Sequence, residues 1–111
     1  MKLEQVKEVL GAAVVLGGTR LDREVLSACG CDLMSDVLAF VKNQGMLLTG
    51  LVNAQVVRTA EMMDMKAIVF VRGKEPNEEI LSLAADADMV VMTTDDPLYV
   101  ACGKLYSAGL H

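Results

Sequence analysis

Apolar residues along the chain switch between helical spacing and short unbroken runs. Leu3, Val6, Val9 and Leu10 share one face of a helix, and Gly11 is placed to end it. Ala12 to Leu16 is a β-branched run halted by Gly17-Gly18, which reads as a strand followed by a turn. Thr19 to Arg23 is a polar connector, and Glu24 to Cys29 alternates as a second strand would. Asp32 or Ser35 can cap a helix with Met34, Val37, Leu38 and Val41 inward, ended by Gly45.

Beyond Gly45 the pattern becomes regular. Met46 to Thr49, Ala67 to Val71 and Met89 to Met92 are strands. They are continuously apolar, as parallel strands buried on both faces must be. Asn53 caps a helix facing inward through Val56, Val57, Ala60 and Met63. Pro76 suits a first helical turn, with Glu78 and Glu79 favourable to its dipole and Ile80, Leu83, Ala84 and Ala87 inside. Thr94 or Asp95 caps a last helix facing inward through Leu98, Ala101, Leu105 and Ala108. The order β-α-β-α-β-α predicts right-handed crossovers and a single compact, layered α/β domain over residues 1–111 with a mainly parallel sheet.

Composition narrows the function classes. In 111 residues, 53% are apolar, more than so small a body hides easily, so part of this surface is expected to lie outside its own core. A net charge of −5 with no basic run argues against nucleic acid and anionic membranes. Leu10 to Gly18 is the longest apolar stretch and has about half the length of a membrane span. Met1-Lys2-Leu3-Glu4 opens an amphipathic pattern with an early acid, unlike a signal peptide. Three cysteines, an odd number, suit reduced thiols in the cytoplasm.

In an open parallel sheet, ligands bind beyond the carboxyl ends of the strands. Gly50 and Asn53, Gly73 and Lys74, and Thr94 and Asp95 occupy those ends and lead into helix N-termini, which can hold an anion. The same glycines and caps also serve to turn the chain, so both roles are open. Neither GxxxxGK[ST] nor GxGxxG after a strand is present, and no cofactor is implied. Cys29-Gly30-Cys31 lacks the four paired ligands of a structural zinc site, and small buried residues explain it better. The one histidine is residue 111, so neither a Cys–His nor a Ser–His–Asp arrangement can be built, and no catalytic residues are expected. Met62 and Met65 lie off the inner stripe of their helix and are expected to be exposed unless a partner covers them.

The segments Leu47-Leu48-Thr49-Gly50, Ala67 to Val71, Gly73 to Leu81 and Thr94 to Tyr99 resemble a DRTGG domain, as do Gly103 to Tyr106, Leu21 to Val25 and Ser35 to Leu38. The resemblance covers nearly the whole chain. It implies a three-layer α/β fold similar to the N-terminal domain of HPr kinase/phosphorylase, whose ATP-binding loop lies in another domain. DRTGG domains occur inside phosphotransacetylases and between the CBS domains of regulated pyrophosphatases, as accessory and dimer-forming modules without enzymatic activity. Stand-alone members look like regulators, some of them encoded beside iron-only hydrogenase genes. The chain has Gly50-Leu51-Val52 where the family has Gly-Asp-Arg, and Arg72-Gly73-Lys74 where it has Thr-Gly-Gly. Three readings follow: a homodimeric regulatory module with a possible protein partner, a sensor of a nucleotide or other anionic metabolite, and a phosphotransfer enzyme, which the missing phosphate loop disfavours.

Overall fold

The computed structural model describes residues 1–40 and 45–111. Its elements are α1 (Leu3–Leu10), β1 (Ala13–Leu16), a 3₁₀ turn (Gly18–Arg20), β2 (Ser27–Gly30), α2 (Met34–Phe40), β3 (Gly45–Thr49), α3 (Ala54–Met62), β4 (Ala67–Phe70), α4 (Glu78–Asp86), β5 (Val90–Thr93) and α5 (Leu98–Ser107).

One five-stranded sheet runs in the order β1-β5-β4-β3-β2. The strands β2 to β5 are parallel neighbours, and β1 joins β5 antiparallel with a register shift between Val14 and Leu16. Side chains alternate across the sheet, which separates two cores. Met46, Leu48, Val69 and Met92 face one core with Leu3, Val6 and Leu10 of α1 and Ala101 and Leu105 of α5. Leu47, Ile68, Phe70 and Val91 face the other, closed by Met34 and Val37 of α2, Val56 and Ala60 of α3, and Ile80 and Ala84 of α4. The result is the expected three-layer α/β architecture with a mainly parallel sheet.

Several local expectations move. Gly45 does not end α2 but begins β3, opposite Ser27, while Val41 lies outside the described residues. Leu38 points outward from α2, 43% exposed. Asn77, not Pro76, starts α4, its side-chain oxygen accepting from Ile80 N at 3.0 Å. Pro97, not Thr94 or Asp95, precedes α5, and the Thr94 hydroxyl donates to the Leu10 carbonyl at 3.1 Å. Ala108 is an exposed C-cap, and Leu110 turns into the core instead. Met65, expected outside, is 1% exposed: α3 ends at Met62, and Asp64 with φ 54 turns the chain so that Met65 drops into the second core. Met62 does stand in solvent, 74% exposed.

A clasp joins the two ends of the fold. Asp88, with φ 57, accepts from Arg23 Nη2 at 2.6 Å and forms an ion pair with Arg20 Nε at 3.1 Å, and Arg23 also donates to the Asp88 carbonyl at 2.6 Å. Among the described residues, no helix is long and apolar enough to cross a membrane.

The two methionines separate in a stability measurement. Met65→Ala is expected to cost about 2–5 kcal/mol as a core truncation, and Met62→Ala less than about 0.5 kcal/mol as a surface change. Equal urea midpoints for the two variants would contradict this placement.

Candidate functional site

The four parallel strands end on the same side of the sheet, followed by loops at 31–33, 50–53, 71–77 and 94–97. Their helices do not all take the same face. The α2, α3 and α4 helices cover the second core, whereas α5 crosses to the first. The loops after the adjacent strands β4 and β5 therefore part to opposite faces, the topological feature that opens a crevice in α/β sheets.

The β4–α4 loop is shaped by backbone reversal. Arg72 and Gly73 both have left-handed backbones, φ 59 and φ 66. For arginine this conformation is unfavourable by about 1–2 kcal/mol. Two hydrogen bonds hold it: Arg72 N to the Asp96 carbonyl at 2.8 Å and Gly73 N to the Thr94 carbonyl at 3.0 Å. The loops of β4 and β5 are thus sewn together below the crevice. The Thr94 hydroxyl reinforces the seam, accepting from Asp96 N at 3.4 Å while it donates to Leu10 O.

Next to this seam, Asp32 gathers the ends of β2, β3 and β4. Its Oδ1 accepts from the Thr49 hydroxyl at 2.9 Å and from Gly50 N at 2.8 Å, and its Oδ2 accepts from Arg72 Nη2 at 3.1 Å. The guanidinium lies against Gly50, where a Cβ would overlap it. Partial burial pushes the Asp32 carboxyl upward, but the Gly50 amide, the Thr49 hydroxyl and the Arg72 charge outweigh it, and the pKa falls below its ordinary value.

The crevice itself is a cavity of about 240 Å³ lined by Gly11, Ala13, Gly73, Glu75, Thr93, Thr94 and Asp95. Its lining carries two carboxylates and no cation; Arg72 and Lys74 belong to the same β4–α4 loop. Another cavity of about 250 Å³ lies at the opposite ends of the strands, bounded by Glu24, Gly45, Asp64 and Lys66. That end holds the starts of β3, β4 and β5 and not the loops that lead on from strand to helix, so it lacks the topology of the first.

Of the sequence candidates, Gly73, Thr94 and Asp95 meet in the crevice. Gly50 belongs to the Asp32 network, and Asn53 is a helix cap that accepts from Val56 N at 3.2 Å. Lys74 is exposed on the loop. Sequence reasoning missed Asp32, read as a helix cap, and Arg72, its partner 40 residues away. No local spacing marks that pair. The cysteines sit elsewhere, along β2 and α5. Burial, then the neighbouring Cys31, Cys102 and Asp36, push the Cys29 thiol up, and burial does the same for Cys102. Among the described residues, no cluster of His, Cys, Asp and Glu could hold a metal.

No family model matches the chain, and no curated protein matches it. Among solved structures, it is similar to the CBS and DRTGG domains of the regulatory region of Clostridium perfringens pyrophosphatase, complexed with the activator diadenosine tetraphosphate. The TM-score is 0.73 at 16% identity over 94% of this chain and 45% of that one. The two share a fold, and this chain spans less than half the length of that structure.

The Asp32 network has a pH signature. Its folded pKa is depressed, so its stabilisation is fully present above the unfolded value near pH 4 and is lost as pH falls through the folded value. Asp32→Asn is therefore expected to destabilise at neutral pH and to converge with the wild type in acid. Thermal melts that stay equally far apart down to about pH 2 would refute the assignment.

Proposed function

We propose that this chain is a regulatory domain without catalytic activity of its own, acting in the cytoplasm as a homodimer. The observation that carries this reading is the commitment of the polar side chains at the strand ends to holding loops. Asp32 accepts from three donors, Thr94 bridges Leu10 and Asp96, and Asn53 and Asn77 cap helices. A general acid or base needs a pKa near the working pH, and the shift at Asp32 runs the other way. A regulatory region with the same fold supports the reading, as does the family resemblance of the sequence. The likeness to the N-terminal domain of HPr kinase/phosphorylase belongs to this proposal and concerns the fold alone.

The crevice favours a second component, a small ligand bound where the β4 and β5 loops part. The nucleotide activator of the structural neighbour supports a nucleotide or related phosphorylated metabolite as the class. The two carboxylates suit hydroxyl or amino groups inside the crevice, and they leave the phosphates to Arg72 and Lys74 on the adjoining loop. Gly50, Asn53, Gly73, Lys74, Thr94 and Asp95 then divide between framing the site and touching the ligand.

A thermal-shift screen of mononucleotides, dinucleoside polyphosphates and phosphorylated metabolites tests both parts. Free ligand at a hundred times its Kd is expected to stabilise the domain by about 2.7 kcal/mol. Ala13→Leu, which fills the crevice from an exposed edge position, is expected to abolish that shift without lowering the melting point of the free protein. ATP in the same mixtures is expected to stay intact. Turnover that disappears in Lys74→Ala would overturn the regulatory reading, and a ligand shift untouched by Ala13→Leu would move the site elsewhere.

A further inference from the structure

The sheet has two outer edges, and they are built differently. At β1 the register slips between Val14 and Leu16, a bulge of the kind that blunts an edge against pairing. At β2 the register with β3 is regular from Ser27 to Gly30. Cys31 N donates to the Leu48 carbonyl, so by alternation Cys29 also faces β3, while Ala28 and Gly30 turn their amides and carbonyls outward. Leu26 to Cys31 contains no charge and no proline, the usual guards of a free edge.

Both flanks of this edge are apolar. On one face α5, which packs over β2 and β3, presents Tyr99 at 89% and Tyr106 at 66% exposure. On the other face Leu33, just before α2, and Leu38 on it are exposed, and Leu26 stands free just before the strand. Among the described residues, these are five of eight large hydrophobic side chains left in solvent. A groove of about 200 Å³ runs between the strand and α5, lined by Ala28, Gly30, Cys102 and Tyr106 among others. Ser27, on the same wall, buries its hydroxyl without a partner.

We propose that this edge is where two copies of the chain join, β2 against β2 in antiparallel pairing about a two-fold axis at Cys29. The proposal rests on the homodimer reading above and assigns it a surface. The register is self-complementary: Ala28 of each copy lies opposite Gly30 of the other, and each pair exchanges both of its backbone hydrogen bonds. Groups beside a two-fold axis meet their own copies, so an uncharged strand suits this partner in particular. Glycine and alanine let the two backbones close to ladder distance. A stable interface takes about 800 Å² from each copy, roughly one seventh of the 5785 Å² surface of the chain. Four residues of strand do not supply that area alone. With α5 against α5 and α2 against α2, the exposed tyrosines and leucines make up the remainder. Met62, on α3 away from this edge, takes no part.

Size exclusion with light scattering, joined to amide hydrogen exchange, tests the assignment. The wild type is expected at twice the chain mass, with the Ala28 and Gly30 amides protected in the dimer and exchanging at least tenfold faster on dilution to monomer. Ala28→Pro, which removes an outward amide that β3 does not use, and Tyr106→Lys are each expected to give folded monomers, and Met62→Lys a dimer. If Ala28→Pro fails to fold, Tyr106→Lys and the exchange data decide. A wild-type dimer whose Ala28 and Gly30 amides exchange as freely as in the monomer overturns this surface and leaves the homodimer reading intact. A wild-type monomer at all concentrations overturns both and leaves the edge to a strand of another protein.

Discussion

Burial of the central strands on both faces is the constraint from which the rest of the molecule follows. All five residues of β3 and all four of β4 are buried. Each large side chain among them gains roughly 1.5–3 kcal/mol by leaving water, but only if a helical layer covers its face. One layer covers Met46, Leu48 and Val69, and the other covers Leu47, Ile68 and Phe70. The five helices of the described residues are shared between two faces, α1 and α5 on one and α2, α3 and α4 on the other, so the chain changes sides after β5. The opening at the strand ends is the geometric residue of that change.

This core was legible because it is local. An unbroken apolar run bounded by glycine says "strand buried twice" without knowledge of any partner, and the strands from Met46 onward were read that way. The Asn53 cap was equally legible, since its acceptor reaches an amide three residues on. Asp32 and Arg72 were not. Asp32 looks like a cap to anything that sees only its neighbours, yet its oxygens are taken by groups on β3 and beyond β4. Thr94 was misread for the same reason, because its hydroxyl answers a carbonyl 84 residues away. Met65 shows a subtler failure: helical periodicity was extended three residues past Met62, where α3 had already ended and Asp64 had redirected the chain. The site is thus less visible in sequence than the core. Its backbone turns are marked by glycine, whereas its side-chain contacts are set by tertiary distance.

At the strand ends, several polar side chains are engaged by the protein's own loops. The oxygens of Asp32, Asn53 and Thr94 each accept from a backbone amide of a loop or helix start, whereas Glu75 and Asp95 line the crevice. The Asp32 carboxylate is kept ionised by its donors, and the thiols of Cys29 and Cys102 are kept protonated by burial. The strained backbone at Arg72 is maintained by two carbonyls of the β5 loop, so that any change in one loop is felt in the other.

The pairing of β1 with β5 bears on how the chain reaches this state. The crossovers from β2 to β5 add each strand beside the one before it, so that part of the sheet can zip in sequence order. The first strand cannot join it early. Its only neighbour is the last strand made, and the Arg23 clasp likewise waits for Asp88, 65 residues downstream. Closing so long a loop costs entropy before any contact repays it, which slows folding. During synthesis β1 is made well before β5, and until that strand arrives the edge of β1 that pairs with it and the apolar face of β1 remain in solvent.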